Sequence, residues 1–262
     1  MLYWIYDLPT PVMAGGFAVV FVGFSWIGAI LIRPLLLQFV RPRLGATNDL
    51  VGYVLSCYCV FYGLLLGLLA VAAYQNFSQV ELAVTQEAAS LAALYEDASA
   101  YPDPVGGNLR LLLRDYCRYV IKYAWPLQRK GIVPVQGGIA LTAFMERLTA
   151  FEPRTKAEEI LVAETLRQYN RLQEFRQLRR YSTAAGIPAV MWYVVVVGSL
   201  INIALVWLFD MKLISHFFLG GLLAFFLATL VFLIAAMDNP FRGEVSIAPD
   251  VFENVYRIVM TE

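Results

Sequence analysis

Four long blocks of the sequence contain no Asp, Glu, Lys or Arg residue, and they constrain the fold more than any other feature. Each block has the roughly 20 apolar residues that an α-helix needs to cross the hydrocarbon core of a bilayer. A helix satisfies its own backbone hydrogen bonds there, whereas a charged side chain near the midplane costs about 2.5 kcal/mol or more. We therefore predict an all-α membrane protein with four transmembrane helices. Their predicted bounds are Val12–Ile32, Leu50–Ala73, Ile187–Phe209 and Leu213–Met237.

The composition excludes several classes of function. Of the 262 residues, 60% are apolar and 15% are charged, with 20 basic and 20 acidic side chains. A soluble globular chain is nearer a quarter charged, and a nucleic-acid-binding domain carries clustered positive charge. One His and three Cys residues without metal-binding spacing do not indicate a zinc site, and no catalytic motif is present. We therefore expect that the protein is not an enzyme and binds no nucleic acid.

The charged residues are concentrated between the second and third predicted spans. Residues 76–184 hold 26 of the 40 charged side chains, so this segment is expected to face water between two transmembrane hairpins. The predicted division is 1–75 for the N-terminal hairpin, 76–186 for an extramembrane helical segment, 187–237 for the C-terminal hairpin and 238–262 for a C-terminal tail. Because the number of spans is even, both termini and segment 76–186 lie on one side of the membrane.

The basic residues leave the membrane orientation open. The positive-inside rule counts Lys and Arg in short loops and near the ends of spans. Four such residues lie on the side of the short connections and six on the other side, while the basic residues that follow the first span favour the reverse orientation. The four are Arg33, Arg41, Arg43 and Lys212, and the six are Arg171, Arg176, Arg179, Arg180, Arg242 and Arg257.

Local signals predict that segment 76–186 is helical. Ser78 with Glu81 forms a capping box that predicts the start of a helix, which should end at the turn-rich residues 101–107. A second helix is expected to end before Pro126, followed by a loop over residues 131–138. Thr155 with Glu158 forms another capping box, which predicts a helix of roughly 27 residues towards the third span.

Two polar side chains within the spans are candidates for a pore or a subunit interface. Asn202 and His216 lie in the third and fourth predicted spans, and polar groups inside a membrane tend to face a bundle interior or a water-filled cavity. The alternative is a hydrogen bond between helices, worth about 1 kcal/mol. The sequence does not choose between these two roles.

A basic stripe is predicted on the second helix of the extramembrane segment. Its members recur every four residues, a spacing that keeps them on one slowly winding face of a helix. Such a stripe could line an anion vestibule or contact acidic lipid headgroups, or it could be an ordinary solvated face. Glu81 and Glu87 on the preceding helix are expected to neutralise part of it. The stripe consists of Arg110, Arg114, Arg118 and Lys122.

The segment after the fourth span is a candidate calcium site. It brings carboxylate and amide groups close together in sequence, and calcium prefers six to eight oxygen ligands. The alternative is that Asp238 caps a break in the helix while Pro240 and Phe241 lie at the headgroup level. The spacing is not that of an EF-hand. The candidate ligands are Asp238, Asn239, Glu244, Asp250 and Glu253.

The same segment carries a resemblance to a known family. Residues 239–244, Asn-Pro-Phe-Arg-Gly-Glu, followed by Asp250 and Glu253, resemble the Asn-Pro-Phe-Gly and acidic run that bestrophin channels have after their last span. Arg242 interrupts the run here, and its acidic residues are sparser.

The chain is more similar still to a bacterial bestrophin-like family of unknown function with four spans. The similar stretches are Tyr62–Gly67, Glu87–Tyr95, Arg179-Arg180, Pro188 with Trp192, and Asp238–Gly243. The resemblance implies a homo-oligomer in the bacterial inner membrane, pentameric by analogy, with an ion pore on its axis and an apolar neck. It also implies a cytoplasmic helical vestibule built from segment 76–186.

Two functions from different classes follow from these features. The first is an oligomeric ion channel with its pore between subunits, for which the neck candidates on the second span are Tyr58, Phe61, Tyr62 and Leu65. The second is a nonconducting membrane scaffold or sensor, whose helical segment binds a partner or acidic lipid. A proton-coupled motor or transporter is less favoured, because such coupling normally needs an acidic residue within a span.

Overall fold

The computed structural model describes residues 6–44, 48–134, 138–184 and 186–260, and at residues 39–44 it describes the main chain alone. These residues form ten α-helices and their connections, and no strand occurs among them. The helices are α1 Thr10–Leu31, α2 Arg33–Leu44, α3 Asn48–Ser99, α4 Val105–Tyr119, α5 Trp125–Arg129, α6 Gly138–Thr149, α7 Lys156–Ser182, α8 Ala189–Trp207, α9 Leu213–Asp238 and α10 Asp250–Ile258.

The four predicted membrane spans are confirmed as helices. Of the described helices, α1, α3, α8 and α9 are long and apolar enough to cross a membrane. Helices α1 and α8 begin directly after Pro9 and Pro188. Pro11 lies in the first turn of α1, where its ring presets the helical φ angle and no N–H is needed for an earlier carbonyl.

The predicted helix start at Ser78 is wrong. Helix α3 runs without interruption from Asn48 to Ser99, so its 52 residues reach about 78 Å at a rise of about 1.5 Å per residue. The physical reason is that no Pro occurs between Asn48 and Ser99, so the backbone hydrogen bonds continue past a residue that can also cap a helix. The predicted end before residues 101–107 is confirmed.

The predicted helix end before Pro126 is also wrong. Helix α4 continues through a π-helical turn, Val120–Ala124, into α5. The Trp125 N–H donates to the Val120 carbonyl five residues earlier, which widens the turn directly before Pro126. Pro126 occupies the first turn of α5, where its missing N–H is tolerated. The wider turn therefore lets the chain pass a proline without leaving the helical path.

The third predicted helix is confirmed. Thr155 accepts a hydrogen bond from the Glu158 N–H, the Glu158 side chain accepts from the Thr155 N–H, and α7 has 27 residues. Three helices were not predicted. Helix α2 follows the first span, α6 precedes the Thr155 cap, and α10 lies in the C-terminal tail.

The chain divides into two compact units, each with its own core. The spanning unit comprises Met1–Gln75 and Ile187–Asp238, and the extramembrane unit comprises Asn76–Gly186 and Asn239–Glu262. In the spanning unit, α1 packs along α9 and α8 packs against both. In the extramembrane unit, α4 packs against α6, and α10 packs against α4 and the π-helical turn. Helix α3 contributes its first part to one core and its second part to the other.

Candidate functional site

The first part of α3 presents an exposed apolar face. Within the spanning unit α3 is the span least covered by its own chain, with 11% of its apolar window buried compared with 17% for α1, 33% for α8 and 39% for α9. Such a face must contact lipid or another copy of the chain, because water would disfavour it. Its exposed large side chains are Leu50, Tyr53, Val54, Val60, Phe61, Leu64, Leu68, Val71 and Tyr74.

The four neck candidates of α3 do not share this face. Phe61 is exposed and Leu65 is half-buried. Tyr58 donates a hydrogen bond of 2.9 Å to the Gly198 carbonyl of α8. Tyr62 is buried, donates to the Val195 carbonyl at 2.6 Å and lies 2.7 Å from the Ser199 hydroxyl. The structure therefore brings Tyr58 and Tyr62 against α8 and leaves Phe61 on the outward side.

Glycines allow the aromatic rings of the spanning unit to approach neighbouring helices closely. A Cβ atom added at Gly198 would lie 2.2 Å from the Tyr62 ring, and one at Gly28 would lie 1.9 Å from the Trp207 ring. Both distances are too short for any side chain larger than hydrogen. The Trp207 indole also donates a hydrogen bond of 3.0 Å to the Ser25 carbonyl. Helix contacts in this unit thus combine a ring over a glycine with a bond to a backbone oxygen.

Asn202 and His216 lie in the interior of the spanning unit. Asn202 of α8 and His216 of α9 are both buried within this unit, away from the exposed face of α3. Asn202 donates to Cys59 Sγ at 3.5 Å. The Asn202 Oδ1 atom and both imidazole nitrogens of His216 have no hydrogen-bond partner among the described residues. Their assignment as pore or interface residues stays a prediction.

The two hairpin connections are tied together at one end of the spanning unit. Arg33 donates to the carbonyls of Phe209 at 3.3 Å and Met211 at 2.7 Å. Asn48 and Asp210 exchange a pair of hydrogen bonds, because the Asn48 amide donates to the Asp210 carbonyl and accepts from its N–H. These contacts satisfy carbonyls that follow α8, where a helix end leaves acceptors without partners.

Asp238 is the buried end of α9. Its carboxylate accepts hydrogen bonds from the Tyr6 hydroxyl at 2.9 Å, the Ile187 N–H at 2.5 Å and the Trp192 indole at 3.4 Å. A buried carboxylate needs such donors, because desolvation without compensation is costly. Asp238 therefore joins the N-terminal segment, the start of α8 and the end of α9.

The structure does not gather the predicted calcium ligands into a metal cluster. No group of three or more His, Cys, Asp or Glu side chains within the described ranges has a metal-binding arrangement. Asn239 is half-buried, and Glu244, Asp250 and Glu253 are exposed. Calcium binding by these residues stays a prediction.

The C-terminal tail packs into the core of the extramembrane unit. Phe241 is buried against Trp125, with ring centroids 5.6 Å apart, and its position at the headgroup level stays a prediction. Phe252 and Met260 are also buried. The Trp125 indole donates to the Ile247 carbonyl at 3.3 Å. The tail is thus an integral part of this unit.

The tail also covers part of the basic stripe. Arg114 is half-buried and donates to the Tyr95 hydroxyl at 3.2 Å and to the Met260 carbonyl. Arg118 is exposed and donates to the Tyr256 hydroxyl at 2.8 Å, which raises the pKa of Arg118. Lys122 is exposed and Arg110 is half-buried. The four members therefore occupy different surroundings.

The sequence analysis missed a buried ionic network in the extramembrane unit. Glu87 does not neutralise the basic stripe as expected, because its carboxylate is fully buried and pairs with Arg179 of α7. Arg179 Nε and Nη2 donate to the two Glu87 oxygens at 2.6 and 2.9 Å, and Nη1 donates to Gln128 Oε1 at 2.5 Å. Gln128 in turn donates to the Thr183 hydroxyl at 2.8 Å. The network joins α3, α5 and α7.

Aromatic and sulfur groups complete the network. The Tyr116 hydroxyl donates to Glu87 Oε1 at 2.5 Å, and burial followed by the Glu87 charge raises the pKa of Tyr116 well above its usual value. Burial alone would lower the pKa of Arg179, but the Glu87 carboxylate holds it above the ordinary arginine value. Burial raises the pKa of Cys117 to about 12, so its thiol is protonated and unreactive at neutral pH.

One feature of the sequence indicates that Glu87 has a buried partner. Glu87 falls on the apolar face of its helix, between Val84 and Leu91, where a charged side chain needs a buried partner. Its partner lies 92 residues away along the chain. No local pattern could identify Arg179.

Comparisons with known proteins agree with this architecture. A solved crystal structure of a bacterial bestrophin homolog from Klebsiella pneumoniae superposes with a TM-score of 0.69 at 12% identity, covering 93% of this chain and 97% of that one. A variant of that homolog gives 0.69 at 12% identity, covering 94% and 99%. A crystal structure of a membrane protein variant gives 0.70 at 12% identity, covering 94% and 97%. At such identities the likeness concerns the fold.

The sequence itself matches a family model. No functionally curated protein is significantly similar to the chain. The model of the Bestrophin-like domain, in contrast, matches residues 19–252. The four spanning helices and this match identify an integral membrane protein. Because the match extends over most of the chain, the protein belongs to the Bestrophin-like family.

Proposed function

We propose that the protein is one subunit of an oligomeric ion channel whose pore runs between subunits. The observation that carries the proposal is the exposed apolar face of α3, the span with the least cover from its own chain. Bestrophins are ion channels, and the family membership supports the same class of function for this chain. The proposed cellular location is the bacterial inner membrane, with residues 76–186 in the cytoplasm.

An ion path within one subunit is disfavoured by the interior of the spanning unit. The hydroxyls of Tyr58 and Tyr62 are used in bonds to α8, and the indole of Trp207 is used in a bond to α1. The same interior is filled by rings that lie directly over glycines. A hydrated route needs a continuous line of polar groups that are available to water or ions, and the buried atoms on α8 and α9 that are unpartnered among the described residues, Asn202 Oδ1 and the two His216 nitrogens, are too few to line one. Several copies around a common axis provide the space that one copy lacks.

The exposed face of α3 supplies the proposed neck. Phe61, Leu64 and Leu68 are spaced by three and four residues, so they follow one side of the helix. A ring of such side chains forms a hydrophobic constriction that gates by dewetting. Leu65 borders this face, whereas Tyr58 and Tyr62 lie on a different side of α3, where they donate hydrogen bonds to carbonyls of α8. The proposed neck therefore keeps Phe61 of the four candidates from the sequence and adds Leu64 and Leu68.

Flux measurements on purified protein in liposomes test the proposal. Leu64→Ser on α3 is expected to increase ion flux severalfold, because a polar ring lowers the cost of wetting the neck. Leu222→Ser is the matched control, because Leu222 is an equally apolar and exposed residue on α9. Silence of the unmodified protein across chloride, sodium and potassium gradients would contradict the channel. Equal effects of the two substitutions would contradict α3 as the neck.

A scaffold that binds acidic lipid is the second candidate function. The observation in its favour is that Arg118 and Lys122 are exposed beside a pocket of about 360 Å³ that Ile121, Glu253 and Tyr256 also line. Binding of acidic vesicles to the protein held in nanodiscs, measured together with ion flux in liposomes, distinguishes the two functions for the double variant Arg118→Gln, Lys122→Gln. A scaffold loses its attachment to acidic vesicles, whereas a channel continues to conduct. Arg114 is left unchanged in this test because it also holds Met260.

A further inference from the structure

A cleft in the extramembrane unit has no role in the proposed ion path. Its volume is about 700 Å³, within the range of about 300–1,000 Å³ that is usual for small-molecule sites. It lies where the turn after α3 and the first turn of α4 meet the end of α6 and the connection to α7. The lining residues on which the argument depends are Asp103, Asn108, Arg147, Phe151, Glu152 and Arg154.

Charges of both signs line this cleft without neutralising one another. Asp103 and Glu152 carry carboxylates, and Arg147 and Arg154 carry guanidinium groups. Throughout the part of the chain that the structure describes, none of these four side chains forms an ion pair or a hydrogen bond. Each can therefore bind a ligand group of opposite charge without first losing a protein partner.

Contacts behind the cleft hold the Phe151 ring and the backbone at Arg154 in place. The Phe151 ring meets the Tyr101 ring edge to face at 5.1 Å, and the Tyr101 hydroxyl donates to the Thr165 hydroxyl at 3.0 Å. Glu158 also lines the cleft, but its carboxylate accepts from the N–H groups of Arg154 and Thr155 at 2.5 and 3.2 Å. Its charge thus holds the backbone that carries Arg154.

We propose that this cleft binds a small zwitterion of the amino-acid or short-peptide class. The ligand carboxylate pairs with Arg147 and Arg154, and its ammonium group pairs with Asp103 and Glu152, while Phe151 and Val105 contact its apolar part. A charged hydrogen bond is stronger than a neutral one, and guanidinium binds carboxylate well. A ligand with charge of a single sign leaves one pair of cleft charges without a partner. Selectivity for a zwitterion follows from that difference.

Calorimetric titration of the full chain in lipid nanodiscs tests the proposal with matched ligands. Leucine and the dipeptide Leu-Leu carry both charges, leucinamide lacks the carboxylate, and 4-methylvalerate lacks the ammonium group. One of the two zwitterions is expected to bind with a dissociation constant in the millimolar range or lower. Its affinity should be about tenfold or more higher than that of either single-charge analogue. The tighter of the two distinguishes an amino acid from a peptide. If neither zwitterion binds, or if an analogue binds equally well, the proposal fails.

Two variants assign the charges of the ligand to sides of the cleft. Arg147→Gln is expected to reduce the preference for leucine over leucinamide, because Arg154 remains, and Glu152→Gln to reduce the preference for leucine over 4-methylvalerate, because Asp103 remains. Arg129→Gln and Glu159→Gln, at exposed positions outside the cleft, are the controls and should bind as the unmodified protein does. Unchanged preferences in the two cleft variants, with their melting temperatures unchanged, would overturn the site. Binding is read without ion flux, so its outcome is independent of the channel proposal.

Discussion

The two units differ in the partners that they provide for buried polar groups. In the extramembrane unit, a charged pair, Glu87 with Arg179, connects α3 to α7 and is completed by Gln128 and Tyr116. Between the spans of the spanning unit, neutral donors on aromatic rings reach backbone carbonyls of the neighbouring helix, and the buried Asp238 carboxylate of this unit lies at the end of α9. The difference follows from the surroundings, because a charge is much harder to bury in hydrocarbon than in a water-facing unit.

This difference predicts which change each unit tolerates least. The extramembrane unit depends on charge balance, because removal of one partner leaves the other buried without compensation. The spanning unit depends on close approach, because its rings lie where any Cβ atom would clash. Substitutions that alter charge should therefore act on the first unit, and substitutions that add volume should act on the second.

The largest expected effect is that of Arg179→Met. It leaves the Glu87 carboxylate buried without its cation, which costs about 3–5 kcal/mol of unfolding free energy. Thermal unfolding by circular dichroism, together with limited proteolysis of residues 76–184, measures the loss. Arg171→Met, an exposed position on the same helix, is the control and should stay within about 0.5 kcal/mol.

A double variant separates loss of the charge pair from loss of packing. Glu87→Gln with Arg179→Met removes both charges and keeps an amide oxygen that can accept from Tyr116. We expect it to regain most of the stability that Arg179→Met loses. A double variant as unstable as the sum of the two single variants would show that the pair is not coupled.

The next largest effect is expected for Gly198→Ala in the spanning unit. The added Cβ would lie 2.2 Å from the Tyr62 ring, so α8 and α3 must separate or the ring must move, at about 1–3 kcal/mol. Gly16→Ala on α1 is the matched control, because no atom lies within 4 Å of its added Cβ. The melting temperature in detergent measures both. Equal melting temperatures would contradict the close-approach account.

The sequence predicted the elements of the spanning unit well because one physical rule governs them. A block without charges and of sufficient length must be a helix in a bilayer, and all four such blocks are confirmed. The rule does not say which side of a span is covered. Phe61 and Tyr62 are neighbours in sequence, and Tyr62 is buried because Gly198 of α8 leaves room for its ring. That information lies in another helix.

In the extramembrane unit, local signals predicted helix ends but not partners. The Thr155 cap and the end of α3 depend on residues next to one another, and both predictions are confirmed. The Ser78 start failed because a capping residue does not interrupt a helix that has no breaker before it. The pairing of Glu87 with Arg179, and the covering of Arg114 by the tail, depend on tertiary contacts that no local spacing encodes.

A smaller effect is expected when one neutral donor is removed from the spanning unit. Tyr62→Phe keeps the ring over Gly198 but loses the hydrogen bonds to Val195 and Ser199. Interhelical hydrogen bonds in membranes are worth about 0.6 kcal/mol on average, so the melting temperature should fall slightly. Tyr193→Phe, at an exposed position on α8, is the control. A loss as large as that of Arg179→Met would remove the contrast between the units.

The smallest effect concerns Asp97, a carboxylate of the extramembrane unit that lacks the compensation given to Glu87. Its Oδ2 atom is buried and has no hydrogen-bond partner among the described residues. Burial, followed by the charges of Glu164 and Glu96, raises the pKa of Asp97. A raised pKa in the folded state favours folding below the unfolded-state pKa, and this contribution is lost as the pH rises through the folded-state pKa.

Asp97→Asn should therefore raise the melting temperature at neutral pH. The gain in unfolding free energy should be less than about 1 kcal/mol, because the Asp97 carboxylate is partly exposed. The gain should disappear in acid, where the aspartate is protonated in both states, and Asp115→Asn at an exposed position should show no such gain. A gain that does not depend on pH would instead assign the effect to something other than the charge.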